Sequence, residues 1–485
     1  GLYIGTFETK GVIVDQAGRI VATAARPHQM LVPQPGWAEH RPREDWWGDF
    51  VFVTRKMLAD SKIAPSSIAA IGTSAIGPCM LPVDVGGAPL MNGVLYGIDT
   101  RAAEEIETLT RRIGVDRLIE TCGNALTSQS IDPKILWQKN NRPELFAKTH
   151  KVLTSTSYLV HRLTDRFVID HYSAGSTSPL YLPDRLAYSD ELAGDIIALD
   201  KLPEPAWTPD MAGEVTQRAP DETGLAAGTP VIVGTIDAAA EALSVGVLQP
   251  GDMMLMYGST IFIVEITPTR VADSRLWYAP WLFPGQHASM SGLATSGTLT
   301  HWFRQQFARE LDPETAIVTL TQEAEKSPPG AKGLVVLPYF SGERTPIHDP
   351  RAKGMIFGLN LTHERGDLFR ALLEGIACGT NHIFETYVDV GQEPAKIYAV
   401  GGGTKNRVWA QATSDVSGRS QVVREKTIGA SYGDAFLAAM AVGDAKAADI
   451  EQWNPVATTF APDPPLRDRY AKLYRIFRDL YPAAR

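Results

Sequence analysis

One phrase occurs twice in this chain, about half its length apart. Near the start, Gly1-Leu2-Tyr3-Ile4-Gly5-Thr6 runs into Thr9-Lys10-Gly11-Val12-Ile13-Val14-Asp15. In the second half, Met253-Met254-Leu255-Met256-Tyr257-Gly258-Ser259-Thr260 runs into Ile261-Phe262-Ile263-Val264. Each copy reads as an apolar strand, a tight turn with glycine and a hydroxyl residue, and a second apolar strand. A single hairpin of this kind is usually structural. Two matched copies suggest duplicated halves whose turns face each other and hold a polyphosphate from both sides. Glycine removes the side-chain obstacle, so backbone N–H groups and small hydroxyls reach phosphate oxygens.

At 485 residues the chain exceeds one ordinary core; roughly 100–200 residues per domain is usual. The repeat places the main boundary at the connector around Val245–Gly251, giving units 1–246 and 247–485. The formal charge of -9, with no long basic run, excludes a nucleic-acid footprint. No run of about 18 uninterrupted apolar residues occurs, so no membrane span is expected. The chain opens directly on a strand, so no signal peptide is expected; it lacks an initiator Met, and a residue or two is expected to have been trimmed. Cys79, Cys122 and Cys378 are sparse and far apart, which suits a reducing cytoplasm. Asn360-Leu361-Thr362 matches the glycosylation pattern by chance.

Strand and helix patterns alternate throughout, which predicts an α/β class with sheets covered by helices. Strands are expected at Ala69–Ile71, Pro230–Val233, Leu334–Leu337 and Lys396–Val400, and helices over Asp45–Ala59, Arg101–Thr110 and Asp367–Tyr387. Leu368, Phe369, Leu372, Leu373 and Ile376 give the last helix a broad buried face. From Pro464 onward, Tyr470, Leu473, Tyr474, Phe477, Leu480 and Tyr481 form one stripe, expected to dock a C-terminal helix on the body.

Several nucleotide and hydrolase designs are absent. There is no GxxxxGK[ST] loop, no GxGxxG after a strand, no HExxH and no GxSxG. Three other segments carry chemistry. Gly401-Gly402-Gly403-Thr404-Lys405-Asn406 follows a strand and opens a helix, and its glycines let a ligand lie against backbone; Asn406 is then placed to bond a base or ribose. In Val233-Gly234-Thr235-Ile236-Asp237-Ala238-Ala239-Ala240 a carboxylate ends a strand and opens a helix of small residues. Asp237 reads equally as a first-turn charge on the helix dipole or as a general base aimed into a crevice. Tyr96-Gly97-Ile98-Asp99-Thr100-Arg101 sets an acid and a base at a helix start, which alone reads as a surface cap.

Together these segments resemble the FGGY family of carbohydrate kinases over essentially the whole chain. The resemblance also rests on Pro35-Gly36-Trp37-Ala38-Glu39, Pro133-Lys134-Ile135-Leu136-Trp137, Gly342-Glu343-Arg344-Thr345-Pro346, Leu373-Glu374-Gly375-Ile376 and Gly429-Ala430-Ser431-Tyr432-Gly433-Asp434-Ala435. It implies two ribonuclease-H-like domains of the actin and sugar-kinase fold around a central cleft. The sugar would lie on the N-terminal domain and ATP mainly on the C-terminal one. By position Asp237 matches the catalytic base, and Thr6, Gly258, Ser259 and Gly297 match the phosphate-binding turns. Gly402, Gly403 and Asn406 match the adenosine pocket, and Asp99 with Ile76, Gly77 and Pro78 the sugar side. ATP and Mg²⁺ are the implied cosubstrate and metal, the implied partners are a small sugar and ATP, and a homodimer is compatible with the class. No residue-level role follows for Glu343 or Arg344.

The sequence departs from the family pattern at two places. The first strand of the family ordinarily ends Asp-x-Gly-Thr, and its aspartate helps to hold magnesium through water; here that position is Tyr3. A phenol is neutral near pH 7 and a poor partner for a hard cation. Glu8, which with Phe7 replaces small hydroxyl residues, is the candidate to supply the missing carboxylate as a metal ligand. Where xylulose kinases carry Ser-Gly-Gln-Met-His-Gly, this chain has Ser74-Ala75-Ile76-Gly77-Pro78-Cys79. The phrasing is still most similar to the xylulose kinase branch. The expected activity is ATP-dependent phosphorylation of a pentulose such as D-xylulose. The competing readings are a kinase for another ketose or polyol, an impaired or non-catalytic sensor on the same fold, and a glycoside hydrolase using Asp99 and Asp237, in which the glycine-rich elements would have no use.

Overall fold

The computed structural model describes residues 1–485. In the first half, β1 (Leu2–Ile4) turns into β2 (Glu8–Val14), which returns along β3 (Ile20–Pro27). Helix α1 (Asp49–Ser61), β4 (Thr73–Ala75), α2 (Ser155–Thr164), β5 (Thr235–Ile236) and α3 (Asp237–Ser244) follow. The sheet order is β5-β4-β1-β2-β3, antiparallel from β1 through β3 and parallel from β1 through β5. Regular α-helix begins at Asp49 rather than Asp45, because Pro42–Gly48 winds more widely and Asp45 turns back to accept the Arg41 N–H at 2.8 Å.

The second half repeats this plan. Strands β6 (Asp252–Tyr257), β7 (Ile261–Thr267), β8 (Trp277–Pro280) and β9 (His287–Leu293) lead to α4 (Gly297–Phe307) and α5 (Arg365–Asp389). Then come β10 (Lys396–Val400), α6 (Arg407–Ser417), β11 (Gln421–Arg424), α7 (Ala430–Ala441), β12 (Val456–Phe460) and α8 (Arg467–Ala484). Its sheet runs β8-β9-β7-β6-β10-β11-β12. The run β9-β7-β6-β10-β11 has the same directions as β3-β2-β1-β4-β5, so the repeated phrase in the sequence is the first hairpin of a repeated sheet. The fold is α/β, two such units around a central cleft.

Segregation by sequence is not segregation by packing. Helix α7, from the second half, lies against β1, β2 and β4 of the first sheet, and Ser74 on β4 donates to the Asp434 carboxylate at 2.8 Å. Helix α3, from the first half, puts Ala239, Ala242 and Leu243 into one core with Met254, Val264 and Ile266 of the second sheet. The two helices pack on each other, so the halves are clasped at the floor of the cleft.

Between β4 and β5 an insertion with its own small core, built on Leu109, Leu118 and Ile135, walls one side of the cleft. Tyr470, Leu473 and Phe477 of α8 are buried, and the latter two share a core with Val335, Leu337 and Tyr339, so the C-terminal stripe is a docking face. Each such side chain contributes about 1.5–3 kcal/mol by leaving water. All three cysteines are free and buried, and no helix is long and apolar enough to cross a membrane.

Candidate active site

A cavity of about 210 Å³ opens between the halves. The first half contributes Gly77, Pro78, Gln129, Tyr172 and Asp237; the second contributes Phe262, Trp277, Tyr278, Met290 and Arg344. A larger void of about 540 Å³ lies beside the first sheet, but its lining is mostly apolar and includes none of the residues expected to act. A site needs convergent polar groups as well as volume, so the smaller cavity is the candidate.

Asp237 stands where β5 ends and α3 begins, the carboxyl end of a parallel strand facing the crevice. Its Oδ1 accepts the Ala238 N–H at 2.8 Å, which fixes the side chain and leaves Oδ2 toward the cavity. Burial pushes the Asp237 carboxyl up to about 7, the Ala238 N–H opposes the rise, and Glu241 one turn on adds to it. Glu241 is itself pushed up to about 6 by burial, against the Ala430 N–H and Lys10. Such an acid is poised to take a proton near neutral pH.

Each turn of the repeated phrase is tied to a neighbouring segment. Ser259 is exposed at the second. There the Gly297 and Ser296 N–H groups donate to the Gly258 and Ser259 carbonyls at 3.0 and 3.1 Å, so the hairpin and the start of α4 form one unit. A Cβ on Gly297 would lie 2.4 Å from the Gly258 oxygen, so only glycine permits this approach. Gly401, at φ 91°, packs on the Tyr257 carbonyl and Gly402 is open to solvent, which joins the glycine-rich loop to the same hairpin. At the first turn, Thr6 Oγ1 lies 3.2 Å from the Tyr96 hydroxyl.

Four expected positions are engaged by other groups of the chain. Asp99 is enclosed: its oxygens accept the Ala38 N–H at 2.6 Å and the Arg101 Nε–H at 2.9 Å, and its side chain is 0% exposed. It holds Arg101 between Trp37 and Trp137 instead of facing a sugar. Ile76 is buried, with its carbonyl taken by Ser155 Oγ at 2.6 Å, while Gly77 and Pro78 do line the cavity. Asn406 caps α6, accepting the Trp409 N–H at 3.1 Å and donating to Thr321 Oγ1 at 3.0 Å, so each end of its amide already makes one bond within the chain. Glu8 pairs with Lys10 at 3.0 Å, because the period of two on β2 puts both on one face.

These contacts decide how magnesium would be held. No group of three or more His, Cys, Asp or Glu is placed to hold a metal ion. Tyr3 remains a neutral phenol, pushed up by burial and by Asp237 and Glu241. Mg²⁺ is commonly bound through one or two carboxylates with the rest of its shell from phosphates and water. The residues fit that limited role only through water and phosphate oxygens, because Asp237 Oδ2, the free carboxylate oxygen here, is the one open to a proton.

Sequence reasoning gave no role to Asn124, Tyr278, Glu343 or Arg344. Asn124 bridges the halves, donating from Nδ2 to the Tyr278 carbonyl at 2.7 Å and accepting the Tyr278 N–H at 2.9 Å. No local pattern marks it, because its partner is distant in sequence. Asn124→Ala is expected to leave those two backbone groups unpaired at the cavity wall, a penalty of about 1–3 kcal/mol, read as a lower denaturation midpoint; an unchanged midpoint would show that the bridge contributes nothing to holding the halves together.

Comparison with known proteins agrees with this geometry. Residues 1–244 match the N-terminal domain of the FGGY family of carbohydrate kinases, and residues 253–442 match its C-terminal domain. The chain is 28% identical to the xylulose kinase of Escherichia coli K12, covering 98% of each chain. It is 25% identical to a gluconokinase of Bacillus licheniformis, over 99% of this chain and 94% of the relative. The crystal structure of the Rhodospirillum rubrum xylulose kinase superposes with a TM-score of 0.94 at 31% identity, over 100% of this chain and 98% of that one. Shared sheet order, matched domain models and full-length similarity lead to one assignment: this chain belongs to the FGGY family and is a carbohydrate kinase.

Proposed function

We propose that the chain transfers the γ-phosphoryl group of ATP to a hydroxyl of a small sugar, with a pentulose such as D-xylulose the favoured acceptor. The observation that carries this reading is the Asp237 carboxylate, with Oδ1 held by the Ala238 N–H and Oδ2 unpaired, on the wall of a cavity built by both halves. Asp237 takes the hydroxyl proton as the sugar oxygen bonds to the γ-phosphorus. The bond from phosphorus to the β–γ bridging oxygen breaks, and its electron pair leaves with ADP. Positioning and charge neutralisation supply most of the catalysis in such a transfer. Magnesium, when bound with the nucleotide, neutralises phosphate charge.

The names of the relatives support a pentulose, and the gluconokinase relative keeps a sugar acid in view. At the wall contributed by Gly77 and Pro78 the chain presents no hydrogen-bonding side chain. Acceptor recognition then falls to the insertion, through residues such as Gln129, Ser130 and Ser176. A coupled ATP-consumption assay over ketopentoses, aldoses, sugar acids and small polyols tests the proposal. Sugar-dependent turnover, highest with a ketopentose, is expected. Tight ligand binding without turnover on any acceptor would replace the kinase reading with a sensor, the reading that Tyr3 favours.

The raised Asp237 carboxyl sets a pH dependence. Only the ionised base accepts a proton, so kcat/KM should climb as pH rises through about 7 and fall below it. Glu241→Gln removes a negative charge that raises the Asp237 value, so the acid limb should move to lower pH. A limb that stays in place in a pH–rate profile of that variant would argue against Asp237 as the titrating base.

A further inference from the structure

Gly342-Glu343-Arg344-Thr345-Pro346 contains the one charged pair near the site with no use in the mechanism above. Glu343 is buried, and its Oε1 accepts two backbone N–H groups, from Ala294 at 2.8 Å and from Arg344 at 2.7 Å. Thr345 N–H adds a bond to the Gly292 carbonyl at 3.2 Å. Ala294 leads directly into Thr295-Ser296-Gly297, the segment bonded to the Gly258–Ser259 turn. One carboxylate therefore fixes the backbone of Arg344 in register with the phosphate-binding turn.

Arg344 is the only cationic side chain lining the Asp237 cavity. Arg344 is exposed and forms no ion pair within the chain. The other nearby cations are occupied. Arg101 is enclosed by Asp99 and Glu39, Lys134 donates to the Leu95 and Tyr96 carbonyls at 2.6 and 3.1 Å, and Lys10 pairs with Glu8. With Tyr3 neutral at the position where the family pattern has a carboxylate, the protein offers fewer ligands for a metal beside the phosphates. A planar guanidinium is suited to neutralising the oxygens of a phosphoryl group directly.

We propose that Arg344 is a catalytic residue that binds the transferring γ-phosphoryl group, and that Glu343 is the positioning residue that registers it with the Ser296–Gly297 turn. Arg344 donates to the equatorial oxygens while the sugar oxygen bonds to phosphorus and the bond to the bridging oxygen breaks. It neither gains nor loses a proton; the hydroxyl proton goes to Asp237. This inference rests on the phosphoryl-transfer reading.

Titration calorimetry on the full chain separates the γ-phosphate from the rest of the nucleotide, using the β,γ-imido analogue of ATP and ADP as probes. Arg344→Gln should weaken the analogue about tenfold and leave ADP unchanged, while kcat falls about a hundredfold, the scale of losing one charge-stabilising donor, with the KM for sugar unchanged. Glu343→Gln, whose amide oxygen still accepts both N–H groups, should keep most activity. Glu343→Ala should reproduce the Arg344→Gln pattern of analogue against ADP, with a melting temperature lowered by the two N–H groups it leaves unpaired; a lower melting temperature with analogue and ADP binding both as in wild type would remove the positioning role. Equal weakening of analogue and ADP, no weakening of either, or a loss confined to acceptors bearing a carboxylate would overturn the assignment. If no sugar is phosphorylated but the analogue-to-ADP difference stands, the acceptor reading has failed and the Arg344 contact has not. Turnover by wild type with no such difference in the variant removes the Arg344 contact alone.

Discussion

Asp237→Asn is expected to lower kcat by about 10²–10⁴, the range for loss of a positioned general base, while ADP binding stays within about twofold of wild type. The asparagine keeps the shape of the side chain, and its amide oxygen can still accept the Ala238 N–H bond that Oδ1 accepts at 2.8 Å. What it lacks is a second oxygen able to take a proton at the cavity wall. The variant therefore isolates proton acceptance from folding, provided the melting temperature is unchanged. Single-turnover and steady-state rates should fall together, since the affected step is chemistry. Retention of more than about a tenth of wild-type kcat would remove Asp237 as the base, because spontaneous proton loss from a sugar hydroxyl is too unfavourable to support that rate.

The second large effect is structural. Gly433 sits where α7 crosses α3, and a Cβ there would lie 1.9 Å from the Ala240 carbonyl oxygen and 3.2 Å from the Ser244 nitrogen. Both are backbone atoms of a helix that also carries Asp237, so neither can swing aside as a side-chain tip would. Gly433→Ala should separate the helices and destabilise the chain by about 1–3 kcal/mol or more, read as a lower denaturation midpoint. It should also lower activity, because α3 shifts with Asp237, the proposed base. Gly402→Ala is the control: no atom lies within 4 Å of its added Cβ, and stability should stay within about 0.5 kcal/mol. Equal midpoints for the two variants would show that the crossing tolerates expansion.

Legibility from sequence followed the range of the interaction that fixes each feature. Strand β10 was expected over Lys396–Val400 and is found there, because its pattern and the glycines after it are local. Helix α5 was expected over Asp367–Tyr387 and spans Arg365–Asp389; its start is set by reciprocal capping between Glu364 and Asp367. The strand expected at Ala69–Ile71 forms instead at Thr73–Ala75, since only that stretch pairs in register with Leu2–Ile4. Asp99 was expected on the sugar side by the family resemblance, whereas its place at a helix start alone read as a surface cap. The Ala38 N–H and Arg101 that enclose it belong to packing that no local pattern reports. Glu8 and Asn406 follow the same logic: the residue type suggested a ligand contact, and the nearest partner in space is Lys10 in one case and the Trp409 and Thr321 groups in the other.

By itself the sequence determined the α/β class, the duplicated hairpin, the position of Asp237 at a strand-to-helix junction and the neutral residue at Tyr3. Each follows from chain-local chemistry: alternation of apolar residues, glycine at a tight turn, or the ionisation of one side chain. Tertiary structure alone decided that α3 and α7 clasp the two halves, that Asn124 bridges the cavity wall, that Glu8 turns to Lys10, and that Arg344 lines the same cavity as Asp237. Those outcomes depend on which distant groups compete for the same hydrogen bonds and charges once water is excluded, and that competition exists only in the folded chain.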